Sequence, residues 1–303
     1  MFIVNNKKIF ISISAVMVVL AIVSVSMFGL NLGIDFKGGA LTEVTYTKER
    51  PSLDLVNNTL NALGIGSVLV QPTGEMGYLI KTKDLAQEEH EGLLKALSFE
   101  DKHTFSETSF NSIGPSVGKE LSRKALLSII LVSLGIIIFI AFSFRKVSKP
   151  IASWKYGVIA VVTLLHDVII PIGLFAFFSK QFGVEADTLL VVAVLTILGL
   201  SVSDTIVIFD RIRENLRIET EEKKGKFDFK EIVGHSLSQS YIRSLITSLT
   251  LIFVLISLFV LGPVTTKYFA LMLIAGMFFG TYSSICLSSP LLVLLEEKSQ
   301  KSK

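Results

Sequence analysis

Thr188–Arg217 reads TLLVVAVLTILGLSVSDTIVIFDRIRENLR. The run from Thr188 to Phe209 is apolar except for one charge, Asp204, and it ends in the charged cluster that opens at Asp210. A bilayer's hydrocarbon core is about 30 Å thick and takes roughly 20 helical residues at about 1.5 Å each. Thr188–Phe209 meets that length. A carboxylate near the bilayer centre costs roughly 2.5–3.5 kcal/mol on insertion scales, so Asp204 marks a function rather than a filler.

Outward from this stretch, five more segments have spanning length: Ile9–Leu30, Ala125–Phe142, Tyr156–Phe178, Leu245–Leu261 and Phe269–Leu295. The composition agrees, with 50% hydrophobic and 18% charged residues over 303 positions. Soluble domains carry roughly 25% charged residues, so a water-soluble enzyme is excluded. The single cysteine, Cys286, sits in an apolar run and rules out a disulfide framework or a cysteine zinc site. A net charge of +3 is too small to argue for nucleic acid. His90, His103, His166 and His235 show no ligand spacing, so no metal is expected. Lys7 and Lys8 precede a first apolar run longer than the roughly 7–15 residues of a signal core, and the run is read as a retained anchor.

Orientation follows from the lysines and arginines of the short flanks. Lys7, Lys8, Arg145, Lys146, Lys149, Lys155, Arg211, Arg213, Arg217, Lys223, Lys224, Lys226, Lys230, Arg243, Lys298, Lys301 and Lys303 fall on one side. The opposite short connections offer only Lys180 and Lys267. Both termini are therefore expected in the cytoplasm. The expected organisation is 1–32 for the N-terminus and first span, 33–120 for an extracytoplasmic domain, and 121–303 for a five-helix bundle.

The outside domain alternates strand and helix patterns. Strands are expected at Leu41–Thr47, Ser67–Val70, Tyr78–Thr82 and His103–Phe110, with helices at Ser52–Leu63 and Gln87–Leu97. Leu55, Val56, Leu60 and Leu63 are expected on one helical face. The order β-α-β-β-α-β is the ferredoxin-like, split βαβ plan, giving a polytopic α-helical membrane protein with a small α+β extracytoplasmic domain. Two glycine clusters, Gly33–Gly39 and Gly114–Glu120, lack the Lys-Ser/Thr of a phosphate loop and read as tight turns.

In the third span, His166 and Asp167 lie roughly 17 Å beyond Lys155 at helical rise, near the midplane, with Thr163 on the same face. In the fourth, Thr196, Gly199, Leu200, Ser203, Asp204 and Val207 form a polar, small-residue stripe. The fifth opens with Arg243, which shares a face with Ser244, Thr247 and Ser248 and lies at a depth comparable to Asp204. The two can pair if their helices touch. Arginines at cytoplasmic helix ends also arise from the positive-inside bias alone, so an interfacial anchor stays open for Arg243. In the sixth span, Gly276, Gly280, Ser284 and Ser288 read as a helix-contact face. The acids Glu185 and Asp187 at the outer mouth could gather cations, though interfacial acids are commonplace.

These residues resemble the SecF family of protein-export membrane proteins. Gly33-Ile34-Asp35-Phe36-Lys37-Gly38-Gly39 is similar to its GxDFxGG signature, and Val117-Gly118-Lys119-Glu120-Leu121 to its entry into the second span. Leu165-His166-Asp167-Val168 resembles its HDV motif. Ser203 through Asn215 resembles its NDTVVVFDRIREN block, and Arg243 through Ser248 its arginine-led fifth-span segment. Ser203 stands where the family has an amide, and Tyr241-Ile242 where it commonly has Leu-Ser.

The resemblance implies a non-enzymatic, cofactor-free subunit of the bacterial inner membrane. It would pair with SecD into a twelve-span body of the resistance-nodulation-division type, beside the SecYEG channel, with YajC and YidC as further partners. That body would couple the proton-motive force to movement of exported, unfolded polypeptide. By the same resemblance Asp204 and Arg243 form the proton-pathway pair, His166, Asp167, Ser203 and Thr163 support it, and Gly33, Asp35, Phe36, Gly38 and Gly39 form the signature turn. The alternative is a proton-coupled transporter of small lipophilic molecules with the same fold.

Overall fold

The computed structural model describes residues 2–99, 102–143, 153–222 and 228–301. Of the cations used for orientation, Arg145, Lys146, Lys149, Lys223, Lys224, Lys226 and Lys303 lie outside the described residues. Among the described residues, six helices are long and apolar enough to cross a membrane. They are Lys7–Phe28, Pro115–Ser143, Ser153–Phe182, Thr188–Glu222, Phe229–Leu261, and a sixth running from Val264 through Lys301 with a π-helical turn at Ser284–Ser288.

The fourth and fifth helices outrun the hydropathy segments that announce them. Asp228 caps the fifth by accepting from Lys230 N at 2.9 Å, and the helix begins at Phe229 rather than Leu245. Hydropathy reads only the lipid-length portion. The earlier turns are held by a buried helical stripe (Phe229, Ile232, Val233, Leu237) in one cluster with Ile212 and Leu216 of the fourth helix. Asn215 Nδ2 closes the contact, donating to Ser236 Oγ at 2.8 Å and Gln239 Oε1 at 2.9 Å.

Chain contacts divide the molecule into two compact units. The membrane unit holds 1–31, 128–184 and 189–303. Its third, fourth and sixth spans are the buried ones, while the first, second and fifth leave most of their apolar surface uncovered. Small residues allow close crossings. Gly173 lies directly against Ala21, with no room for a Cβ, and Ser24 Oγ donates to Gly173 O at 2.7 Å. Gly276 lies against Ile197 in the same way. At one end of the bundle, Lys155 Nζ meets Glu296 at 2.7 Å with both side chains largely buried, and Lys7 pairs with Glu297.

The second unit holds 32–127 and 185–188. Its strands are β1 (Gly39–Tyr46), β2 (Leu69–Thr73), β3 (Gly77–Thr82) and β4 (Phe105–Ile113), with helices Leu53–Ala62 after β1 and Gln87–Leu97 after β3. The sheet order is β2-β3-β1-β4, and every pair is antiparallel. Strand period two buries Ala40, Thr42, Val44 and Tyr46. They join Val56, Leu60, Tyr78, Ile80, Leu93 and Leu97 in the interior. Leu55 and Leu63, expected on the buried face of the first helix, are exposed, so the stripe narrows to Val56 and Leu60. β2 lies further along than expected and includes Pro72. As an edge strand it tolerates a residue without an N–H. Buried Tyr46 donates to Leu97 O at 3.1 Å, and burial beside Tyr78 pushes its phenol up to about 12.

Candidate functional site

Asp167 is fully buried where the third, fourth and sixth spans meet. Its Oδ1 lies 2.8 Å from His166 Nδ1. Its Oδ2 accepts from Ser201 Oγ of the fourth span and from Ser283 Oγ of the sixth at 2.7 Å. A charge taken out of water requires this kind of compensation, because buried carboxylates without donors cost several kcal/mol. One helical turn on, Thr205 Oγ1 meets Ser284 Oγ at 3.0 Å. Thr163 is buried but spends its hydroxyl on its own helix, donating to Ile159 O and Ala160 O at 3.0 Å each. It shares the neighbourhood of His166 without bonding to the pair.

Asp204 is half-buried. Ser244 and Ser248 of the fifth span face its carboxylate, and the Arg243 guanidinium acts on it electrostatically. Among the described residues Asp204 and Arg243 make no ion pair within 4.0 Å, and Arg243 is exposed. Sequence periodicity put Arg243 and Thr247 on one face with Ser244 and Ser248. In the structure Ser236, Ser240, Ser244 and Ser248 form the buried four-residue stripe, and Arg243 and Thr247 stand one helical step outside it. Ser248 Oγ bonds Thr281 Oγ1 of the sixth span. Ser203 and Gly199 are exposed, and a Cβ at Gly199 would meet nothing within 4 Å.

The signature turn belongs to the outside unit. Ile34–Lys37 forms one helical turn, closed by Gly38 at φ 82°. A Cβ on Gly38 would strike Pro115 Cα at 2.8 Å, and one on Gly118 would strike Gly38 N at 2.8 Å. Gly39, at φ 144°, passes equally close to Thr82 O. Asp35 Oδ2 accepts from Thr188 N at 2.8 Å, Gly33 N donates to Ala186 O at 2.8 Å, and Phe36 is buried. The motif is thus a close-packed junction between β1, the start of the second helix and residues 185–188. Glu185 is engaged by Lys81 at 3.0 Å.

Ser201 and Ser283 escaped sequence reasoning. The available signal was depth, since Ser201 lies one turn before Asp204, and Ser283 sits inside the serine-rich run Ser283, Ser284, Ser288 and Ser289. No group of three His, Cys, Asp or Glu residues is placed to hold a metal among the described residues.

Residues 94–298 match the family model described as protein export membrane protein SecD/SecF, C-terminal, and residues 23–49 match the SecD/SecF GG motif. The protein translocase subunit SecF of Thermobaculum terrenum is 38% identical, over 98% of this chain and 94% of that relative. The chain belongs to the SecF family. The SecF subunit of Vibrio alginolyticus is 34% identical over 95% of this chain and 88% of its own length. SecDF from Thermus thermophilus, a translocon-associated membrane protein, has a crystal structure similar at a TM-score of 0.79 and 28% identity over 97% of this chain. This SecF-family chain spans 38% of that SecDF chain. SecDF in a super-membrane-facing form is similar at 0.68 and 27% identity. The six spans and the small extracytoplasmic sheet domain are those of this family.

Proposed function

We propose that this chain is the SecF-type accessory subunit of the Sec translocase and that it aids protein export by converting ion movement past Asp204 into helix motion. The observation that carries the reading is one half-buried carboxylate inside the fourth span, facing the serine stripe of the fifth with Arg243 in electrostatic reach. Neutralising Asp204 removes its attraction to Arg243 and lets the fourth and fifth helices repack.

Energetics limit how far one ion can drive this. A proton crossing 100 mV releases about 2.3 kcal/mol, whereas moving a two-state element from 1:99 to 99:1 takes about 5.5 kcal/mol. Several protons therefore move per cycle, or the two states start nearly balanced.

The proposed setting is the bacterial inner membrane with both termini cytoplasmic, supported by the flanking Lys and Arg bias. The proposed division is 1–32, 33–120 and 121–303, with the outside domain on a ferredoxin-like plan, supported by its strand order and antiparallel pairing. The proposed partners are SecD, the SecYEG channel, YajC and YidC, with exported unfolded polypeptide as the moving client.

The test is Asp204→Asn in vesicles that contain the chain, its partner and the export channel. Expected is loss of ion-driven export with normal insertion of the variant. Undiminished export from Asp204→Asn would overturn the assignment.

A further inference from the structure

His166 Nε2 is buried and has no hydrogen-bond partner. Among the described residues, Ser244 Oγ and Ser289 Oγ share that condition. A hydroxyl can rotate toward a new partner, but the imidazole of His166 is pinned. Its Nδ1 is bound to Asp167 Oδ1 at 2.8 Å. Its ring stacks on Tyr282, with centroids 6.2 Å apart and planes 22° apart. Tyr282 is itself fastened to the first span, donating to Phe10 O at 3.3 Å and lying 3.5 Å from Ser14 Oγ. Three helices therefore fix the direction in which Nε2 points.

An ionised carboxylate only accepts hydrogen bonds. With Asp167 ionised and both serine hydroxyls donating to its Oδ2, the hydrogen between the pair belongs to His166 Nδ1, and the bare lone pair falls on Nε2. Buried polar atoms without partners are rare in folded proteins. Here the unsatisfied atom is a base.

We propose that His166 Nε2 is a second proton-binding atom inside the bundle, and that Asp167 is the positioning residue that fixes its tautomer and balances its charge. The proposal rests on the ion-coupling reading above and adds to Asp204 a site on a different helix. In the step, a hydronium ion gives its proton to Nε2, forming an N–H bond and leaving water, while the Nδ1 hydrogen stays on Nδ1 and remains hydrogen-bonded to Asp167 Oδ1. The cluster passes from one net negative charge to a neutral imidazolium–carboxylate pair, which a low-dielectric interior holds at less cost than a lone carboxylate. Loss of the same proton restores the starting state.

Among the described residues, the ionisable groups facing this site are few. The sixth span presents Tyr282 and Cys286, and the fourth presents Asp204, which Asp167 influences electrostatically. The first span presents Ser14; its Lys7 is paired with Glu297 at the bundle end, as Lys155 of the third span is with Glu296.

The experiment is nitrogen-15 NMR of the histidine-labelled full chain in lipid nanodiscs across a pH series, with the His166 signals assigned by their loss in His166→Gln. Expected is Nδ1 protonated at every pH and Nε2 passing from bare to protonated as pH falls; Asp167→Asn would mix the two tautomers. Export vesicles supply the functional arm: His166→Gln flattens the pH dependence of ion-driven export, while Asp204→Asn removes ion-driven export at every pH. A proton on Nε2 with Nδ1 bare, or an Nε2 that stays bare wherever export is ion-driven, would overturn the proposal. Export that survives Asp204→Asn sinks the Asp204 reading and leaves the NMR result standing, so the two failures are distinguishable.

Discussion

Ser201 and Ser283 each direct a hydroxyl at the same oxygen of Asp167, so truncating either leaves that buried carboxylate one donor short. Removing one partner of a buried group costs about 1–3 kcal/mol. Ser201→Ala and Ser283→Ala are therefore expected to lower the thermal unfolding midpoint of the chain in detergent, while Ser203→Ala, at an exposed position, leaves it unchanged. Equal losses for all three would contradict the account. Asp167, His166 and Asp204 were readable from sequence because a charge in an apolar run announces itself. The serines were not. A serine in a span is ordinary, and its worth depends on which residue of another helix it meets. Arg243 shows the reverse limit: it adjoins the buried stripe Ser236, Ser240, Ser244, Ser248, and a single 100° step puts it outside.

Helix crossings in the membrane unit rest on missing side chains. Gly173→Ala would drive a methyl into Ala21 of the first span. Overpacking of this kind costs about 1–3 kcal/mol, and a lowered unfolding midpoint in detergent is expected. Gly199→Ala, where a Cβ meets nothing within 4 Å, is expected to leave the isolated chain's midpoint unmoved.

In the outside unit, Tyr46 supplies a pH dependence. Its phenol is raised from 10.0 to about 12 by burial and by Tyr78. A raised value in the folded state means the stabilisation is complete below the unfolded value near 10 and is lost as pH rises toward 12. Circular dichroism of the sheet signal should fall more steeply across that window in the parent than in Tyr46→Phe, and parallel curves would contradict this. Strand and helix order in this unit was legible because period two and period 3.6 alternate cleanly along the chain. The limits of β2 and the true start of the fifth helix were not. One depends on an edge position that excuses Pro72, the other on packing with the fourth helix.

Across the molecule, the first, second and fifth spans expose long apolar faces, and the exposed Gly199 and Ser203 lie on the fourth. The polar cluster instead sits at the centre, among the third, fourth and sixth. This is the arrangement expected of one half of a larger membrane body, and co-purification with a six-span partner bearing its own outside domain is the expected outcome. A stable homo-oligomer that moves a small lipophilic solute would favour the transporter alternative. Span number was legible from hydropathy alone; the burial of individual spans was not, because all six are apolar and only contacts distinguish them.

The most direct measurement is infrared difference spectroscopy of the reconstituted export complex, triggered by an imposed ion gradient. A protonated-carboxyl band that comes and goes during turnover and vanishes in Asp204→Asn is predicted. A carboxyl locked in one ionisation form throughout export would contradict the account.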